Sequence, residues 1–296
     1  MEPLSLIIIG IIIATLVVGA LKRFELTTVL VAGNLIIFFV SLFANQGRLY
    51  ADLAFQPIDL RNGTDLYTAF TSMFLHDGFG HIIGNMLFLY FLGTPLESRI
   101  GKARFAVVYF SAGIAGALVA AIVALGLGTG LTVYMVGASG AISGVIGTLL
   151  VLYPRDEFPM FLGPIFLPKV PVWLAALGWL FFSVILAILV SSHVSWEAHI
   201  GGFMAGLVVG LLIGRHVEEE RRKAEAPLDL AKLQPLATTP QLRNALEQAQ
   251  ADNHPDVRKA WLEYFAEHAQ CPQCGGKMKF RKDRFICQCG EEILVR

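Results

Sequence analysis

Apolar residues fall into seven blocks along the first 216 positions: 4–21, 27–44, 79–97, 105–126, 138–153, 170–190 and 197–214. A helix that crosses a membrane needs about 20 mostly apolar residues. Each block is therefore read as a membrane span. Three of them, 79–97, 138–153 and 197–214, are short or carry polar residues. Beyond residue 216 the pattern becomes that of an ordinary polar segment. No internal repeat or low-complexity run interrupts it.

The first block is not read as a cleaved signal. Glu2 and no basic residue precede it, and no small-x-small site lies ahead of Lys22. It is expected to be a retained anchor helix hairpinned to the next span. Loop charges then set the orientation. One set of connections holds eleven basic residues: Lys22, Arg23, Arg99, Lys102, Arg104, Arg155, Lys169, Arg215, Arg221, Arg222 and Lys223. The opposite set holds Arg48 and Arg61. The basic side is expected to be cytoplasmic, with the N-terminus outside and the polar tail inside. The outer connections are then 45–78, with an amphipathic look (Leu49, Leu53, Phe55, Leu60), the Gly-rich 127–137 and the short 191–196.

Composition sharpens this picture. The chain is 55% hydrophobic and 16% charged, against roughly half and a quarter for soluble domains. Its mean hydropathy is +0.62. Lys+Arg and Asp+Glu balance at 23 each, which leaves no basic excess for a nucleic-acid partner. All 4 Cys lie after position 270, which excludes a secreted disulfide scaffold. The class expected is an all-α polytopic membrane protein with a small soluble tail.

Polar groups inside a membrane are costly and point to function. Span 79–97 opens with His81 and Asn85, span 138–153 with Ser139, and span 197–214 with His199. All three run from outside to inside, so the four residues share one depth near the outer ends of their helices. Ser139 lies ~20 Å above the inner face at 1.5 Å per residue. His81 and Asn85, four apart, share a helix face. A hydroxyl, two imidazoles and an amide suit acyl transfer. The Ser hydroxyl needs an adjacent base, imidazole can be that base, and amide or imidazole N–H groups can hold an oxyanion. Gly140 and Gly144 in one span, and Gly202, Gly206 and Gly210 in another, recur every four residues. Small residues so spaced let two membrane helices pack backbone to backbone, as a bond between Ser139 and His199 requires.

Each piece alone has a plainer reading. Gly-x-Ser-Gly in an apolar helix is often packing. A membrane His or Asn often satisfies a neighbouring carbonyl. His76 reads as a loop anchor, Glu97 as a helix-end partner and Ser143 as packing. Convergence at one depth, on helices of one direction, is what the plainer readings leave unexplained.

These residues together resemble the rhomboid family of intramembrane serine proteases, over roughly residues 27–214. Gly137-Ala138-Ser139-Gly140 is similar to the family's nucleophile motif, and Ala198-His199-Ile200-Gly201-Gly202 to its general-base motif. His81-Ile82-Ile83-Gly84-Asn85 resembles the family's His-x-x-x-Asn, with His76 before it and Glu97 after it. The resemblance implies a six-helix core plus one extra N-terminal helix. It implies a Ser139–His199 dyad without an acidic third member, and an oxyanion hole from His81, Asn85 and the Ser139 backbone N–H, with no cofactor for catalysis. It implies membrane-protein substrates with a transmembrane helix, cut near the outer face and entering from the lipid bilayer past span 170–190, with 191–196 as a cap. Ser143 stands where many bacterial members place a Tyr that stacks on the His. The Trp-Arg pair of some members is absent from 45–78. A prokaryotic cell membrane is the expected location.

The tail reads as a linker with helical segments over 217–270, then a small unit over 271–296; residues 1–26 and 27–216 are the extra helix and the core. Thr239-Pro240 is a helix start, with Thr as cap and Pro in the first turn. Val257, Trp261, Tyr264 and Phe265 fall on one helical face. Cys271-Pro-Gln-Cys274 and Cys287-Gln-Cys289 are separated by twelve residues. Four thiolates in two pairs suit a structural zinc in a reducing compartment, and the first pair looks like a zinc-ribbon knuckle. Metal binding would supply the folding energy of so small a unit. A cytoplasmic partner is a candidate role for it.

Two other functions compete with proteolysis. One is a non-catalytic rhomboid-like protein that holds membrane helices. The other is a transporter or proton relay through His81 and His199, which would expect buried acidic residues along a path; Glu97, near the inner end of its span, is the only candidate within the seven blocks.

Overall fold

The computed structural model describes the chain except residues 22, 163–164, 190–194, 226–227, 253–254, 282 and 296. It divides into two compact units, Met1–Arg215 and His216–Arg296.

In the first unit, helix α1 (Pro3–Ala20) starts on a proline in its first turn and packs along α2 (Leu26–Ser41). Three short helices follow, α3 (Gln46–Leu53), α4 (Pro57–Asn62) and α5 (Thr68–Thr71). The amphipathic reading of this loop holds: Leu49, Leu53 and Phe55 are fully buried, and Leu60 is partly so. Helix α6 (Phe79–Phe88) passes through a π-helical turn (Leu89–Gly93) into α7 (Thr94–Ile100), and α8 (Lys102–Leu127) ends on Gly128 in the left-handed region. Helix α9 (Ser139–Leu152) is the innermost element, with Gly140–Leu149 buried without interruption. Then come α10 (Val172–Leu189) and α11 (Trp196–Glu225), the latter running into the second unit's residues.

Four of the described helices, Pro3–Ala20, Phe79–Ile100, Lys102–Leu127 and Trp196–His216, are long and apolar enough to cross a membrane; Leu26–Ser41, Ser139–Leu152 and Val172–Phe181 are shorter apolar helices. Their outward residues are apolar too. Ile13, Val17, Val107, Ile122, Leu211 and Leu212 are all exposed. Contiguous apolar surface of this kind is unfavourable in water and ordinary against lipid. Helix α9, at about 21 Å for its 14 residues, is shorter than a ~30 Å hydrocarbon core.

The connection between α9 and α10, read from sequence only as a loop, is a β-hairpin: β1 (Glu157–Leu162) pairs antiparallel with β2 (Ile165–Pro171). The irregular register between Phe158 and Met160 breaks the two-residue alternation that would have announced it. Most of the expected outer cap, 191–194, lies outside the described residues.

In the second unit, a 3-10 turn (Leu230–Leu236), α12 (Pro240–Ala251) and α13 (Pro255–His268) precede a three-stranded antiparallel sheet, β3 (Met278–Arg281), β4 (Arg284–Cys287) and β5 (Glu292–Leu294). The Thr239 hydroxyl accepts from the Leu242 N–H at 3.3 Å, so the expected cap is present. The buried stripe of α13 differs from the one read. Leu262, Phe265, Ala266 and Ala269 face inward, at helical spacing, while Val257 and Tyr264 are 41% and 38% exposed. Leu233, Ala245, Phe265, Met278, Phe285 and Val295 form one core. The sequence implies a linker with helical segments followed by a 26-residue unit without a core of its own; the helices and the sheet share their apolar residues.

Candidate active site

Ser139 is the first residue of α9. Gly137 just before it takes φ +121°, a conformation that side chains disfavour. A Cβ there would lie 2.7 Å from His81 Nε2. The approach to Ser139 is pinned from two sides: Phe55 and Met135 exchange backbone hydrogen bonds at 3.2 and 2.7 Å, and the Gly137 N–H donates to the Ser72 carbonyl at 2.9 Å. The first-turn N–H groups of α9 have no carbonyl partner within their helix, so this end presents donors and a positive dipole.

His199 lies in the first turn of α11. Ser195 sets where that helix begins, its hydroxyl accepting from the Ala198 N–H at 3.2 Å. His199 reaches α9 because the two backbones nearly touch. A Cβ on Gly202 would sit 2.0 Å from the Gly140 carbonyl oxygen, and one on Gly206 2.1 Å from that of Gly144. Thr148 Oγ1 adds a hydrogen bond to the Gly206 carbonyl at 2.9 Å. The result is a 2.8 Å contact between His199 Nε2 and Ser139 Oγ, with His199 7% exposed.

His81 stands across Gly137 from this pair. Its Nδ1 is 2.6 Å from Asp77 Oδ1, which directs Nε2 toward the Gly137 backbone. Asn85, one turn on and buried, gives one amide N–H to the His81 carbonyl at 3.0 Å; no described contact joins it to Ser139. His76 is buried with its ring edge-on to His81, centroids 5.0 Å apart. Burial, reinforced by His81, lowers its imidazole to about 3. Neutral, it faces the Ala138 N–H at a long 3.5 Å. Glu97 accepts from the Leu26 N–H, the Thr27 N–H and the Thr27 hydroxyl at 2.7–2.8 Å, capping α2.

The sequence reading missed three residues here. Asp77 is four before His81, and that spacing was its available signal. Trp179 and Ser183, four apart on α10, both meet His199. Trp179 lies at 5.6 Å between ring centroids with a 41° tilt, and Ser183 Oγ is 2.8 Å from His199 Nδ1. Trp179 also meets Phe88 of α6 edge to face at 4.7 Å. Its ring lies against the imidazole from a helix distant in sequence.

In the tail, the Sγ atoms of Cys271, Cys274, Cys287 and Cys289 all lie within 4.8 Å of one another. The closest pair is 3.4 Å apart, far beyond the ~2.05 Å of a disulfide, and all four thiols are free. Sulfurs ~2.3 Å from a tetrahedral zinc would be about 3.8 Å apart. The Gly276 N–H points at Cys274 Sγ at 3.4 Å, and Gly275 and Gly290 turn the two knuckles with φ of +72° and +94°. The donor set fits a metal ion.

Comparison with known proteins bears on the first unit. Residues 63–216 match the family model of the rhomboid domain. The chain is 30% identical over 152 residues to Rhomboid protein 1, mitochondrial, of Saccharomyces cerevisiae, covering 51% of this chain and 43% of that one. It is 30% identical over 177 residues to the Putative rhomboid protease YdcA of Bacillus subtilis, covering 57% and 78%. It is also 31% identical over 91 residues to Inactive RHOMBOID-like protein 8 of Arabidopsis thaliana, covering 31% and 24%. The chain thus spans about half or less of the length of several curated relatives.

Proposed function

The chain belongs to the rhomboid family, and we propose that it is a serine-type intramembrane endopeptidase that cuts transmembrane-helix substrates through an acyl-enzyme. The observation that carries this reading is the 2.8 Å contact of His199 Nε2 with Ser139 Oγ at the N-terminus of the innermost helix. In the attack step, Ser139 Oγ bonds to the scissile carbonyl carbon as its proton passes to His199 Nε2. The imidazolium then gives that proton to the leaving amine, and water, activated by the same ring, releases the acyl group. The Ser139 backbone N–H, His81 and Asn85 hold the oxyanion. For Nε2 of His81 to donate while Nδ1 binds Asp77, the ring carries both protons, and the Asp77 carboxylate offsets that charge.

The short span of α9 supports the same reading. Its first residue lies below the membrane surface, where water from the outer side can reach it. A substrate helix unwinds locally to present its carbonyl, since its own hydrogen bonds otherwise shield that group. Entry runs past α10, where Phe88 and Trp179 meet. The eleven-to-two loop charge ratio supports an N-terminus outside and a tail inside. Relatives come from mitochondria as well as from Bacillus subtilis, so the proposal extends to the side of the membrane and not to a prokaryotic one. The four tail cysteines are proposed to bind a structural zinc, which on binding would supply folding energy to that unit.

An inactive relative favours a second reading, a helix-binding protein without catalysis. A serine-directed fluorophosphonate separates the two. The endopeptidase reading expects a covalent adduct that peptide mass spectrometry maps to Ser139 and that His199→Ala suppresses. Absence of any adduct on the folded wild type favours the helix binder.

A further inference from the structure

Helix α10 supplies a set of contacts around His199 that the two-residue dyad does not account for. Ser183 is 6% exposed, and its hydroxyl donates to the Trp179 carbonyl one turn back, at 2.8 Å. With its hydrogen spent, Ser183 Oγ can only accept at its 2.8 Å contact with His199 Nδ1. The hydrogen of the neutral ring is thereby held on Nδ1. Nε2 is left with its lone pair toward Ser139, the tautomer a general base requires. Trp179 faces the imidazole, and its indole N–H donates to Ser143 Oγ at 2.8 Å. Ser143 in turn donates to the Ser139 carbonyl at 2.8 Å. The contacts run in a closed loop from Ser139 through Ser143, Trp179, Ser183 and His199 back to Ser139.

We propose that Ser183 and Trp179 are positioning residues for His199: Ser183 fixes its tautomer through Nδ1 and Trp179, tethered by Ser143, fixes the plane of its ring. This deepens the endopeptidase reading and rests on it. The hydroxyl takes the place of an acidic partner, without placing a second charge in a buried site. Trp179 supplies from α10 the aromatic surface that Ser143, one turn after the nucleophile, does not. The small Ser143 leaves the room that an indole needs, and offers the acceptor that tethers it. The base is thus correctly presented only while α10 lies against α9 and α11.

The test uses the full chain in lipid bilayers, with cleavage of a membrane-helix reporter and nitrogen-15 NMR of labelled histidine, His199→Gln serving to assign the His199 signals. Ser183→Ala is expected to lower kcat by about tenfold, the scale of one lost orienting hydrogen bond, with KM changed less than about twofold. Ser183→Thr, which keeps the hydroxyl, is expected to restore most of kcat. The wild-type spectrum should show His199 protonated on Nδ1 alone, and Ser183→Ala a mixture of tautomers. Trp179→Phe and Ser143→Ala should each lower kcat severalfold while leaving the tautomer on Nδ1. A Ser183→Ala enzyme with wild-type kcat, or a His199 tautomer that does not respond to the substitution, overturns the proposal. Failure of the endopeptidase reading looks different: Ser139→Ala would then cut as fast as wild type, or nothing would cut, while the tautomer spectrum still reports on Ser183.

Discussion

Three residues outside the dyad show how the site is charged and what is not part of it. Asp77 pairs with His81 Nδ1 at 2.6 Å. If that pair keeps His81 a donor on both nitrogens, Asp77→Asn lowers kcat by about tenfold with little change in KM, since an oxyanion contact forms only in the transition state. A reporter assay in which KM alone rises would contradict it. Gly137 needs no Cβ for a different reason, its φ of +121° and the 2.7 Å approach of His81. Glu97 is the obvious candidate for a proton path, but its carboxylate is spent on three donors of α2. Glu97→Gln should cost about 1–3 kcal/mol, the range for a buried charge-assisted hydrogen bond, and should leave cleavage per folded molecule within a few fold. Thermal unfolding in detergent checks the first part; an unchanged melting temperature would show that the cap contributes nothing.

At the scale of elements, the α9–α11 contact decides whether there is a site at all. Gly202 and Gly206 let the helices meet at distances no side chain allows. Gly202→Val forces them apart, with an expected cost of at least ~1–3 kcal/mol from overpacking and loss of the Ser139–His199 bond. Cleavage should fall at least a hundredfold even in the fraction that remains folded. A Gly202→Val protein with wild-type activity would mean that the backbones need not touch. This contact was legible in the sequence, because glycines at four-residue spacing have one obvious use in a membrane. The place of Ser139 at the head of a short apolar helix was legible too. Trp179 and Ser183 were not. Both sit in an otherwise apolar block, where a lone Ser reads as packing, and nothing in a run such as Gly178-Trp179-Leu180-Phe181 says which side faces a histidine from another helix. The β-hairpin at 157–171 escaped for a related reason: Pro159, Pro164, Pro168 and Pro171 read as punctuation, and the register slip hides the alternation.

The whole molecule joins a lipid-facing unit to a polar one held together differently. In the second unit, helices and sheet share a core around Phe265 and Phe285 that includes Cys271 and Cys287, with Cys274 and Cys289 exposed beside it. A chelator such as EDTA should remove one zinc per chain and raise hydrogen exchange across 271–296, with smaller effects in α12 and α13, which also bury Leu242, Leu246, Leu262 and Phe265 in the shared core. Acid should do the same as the thiolates protonate. Metal analysis that finds no zinc in the purified chain would remove the cysteines from the metal-binding account. The sequence reading saw the cysteine pairs but not the shared core, because Leu230, Leu233 and Leu236 recur at the three-residue period of a 3-10 turn and belong to no helix stripe. The Ser139–His199 pair of the first unit is tested by cleavage of a membrane-helix reporter by purified wild type beside Ser139→Ala and His199→Ala. Cutting by wild type with both variants reduced by orders of magnitude is the predicted result; equal cutting by all three would show that Ser139 and His199 are not the catalytic pair.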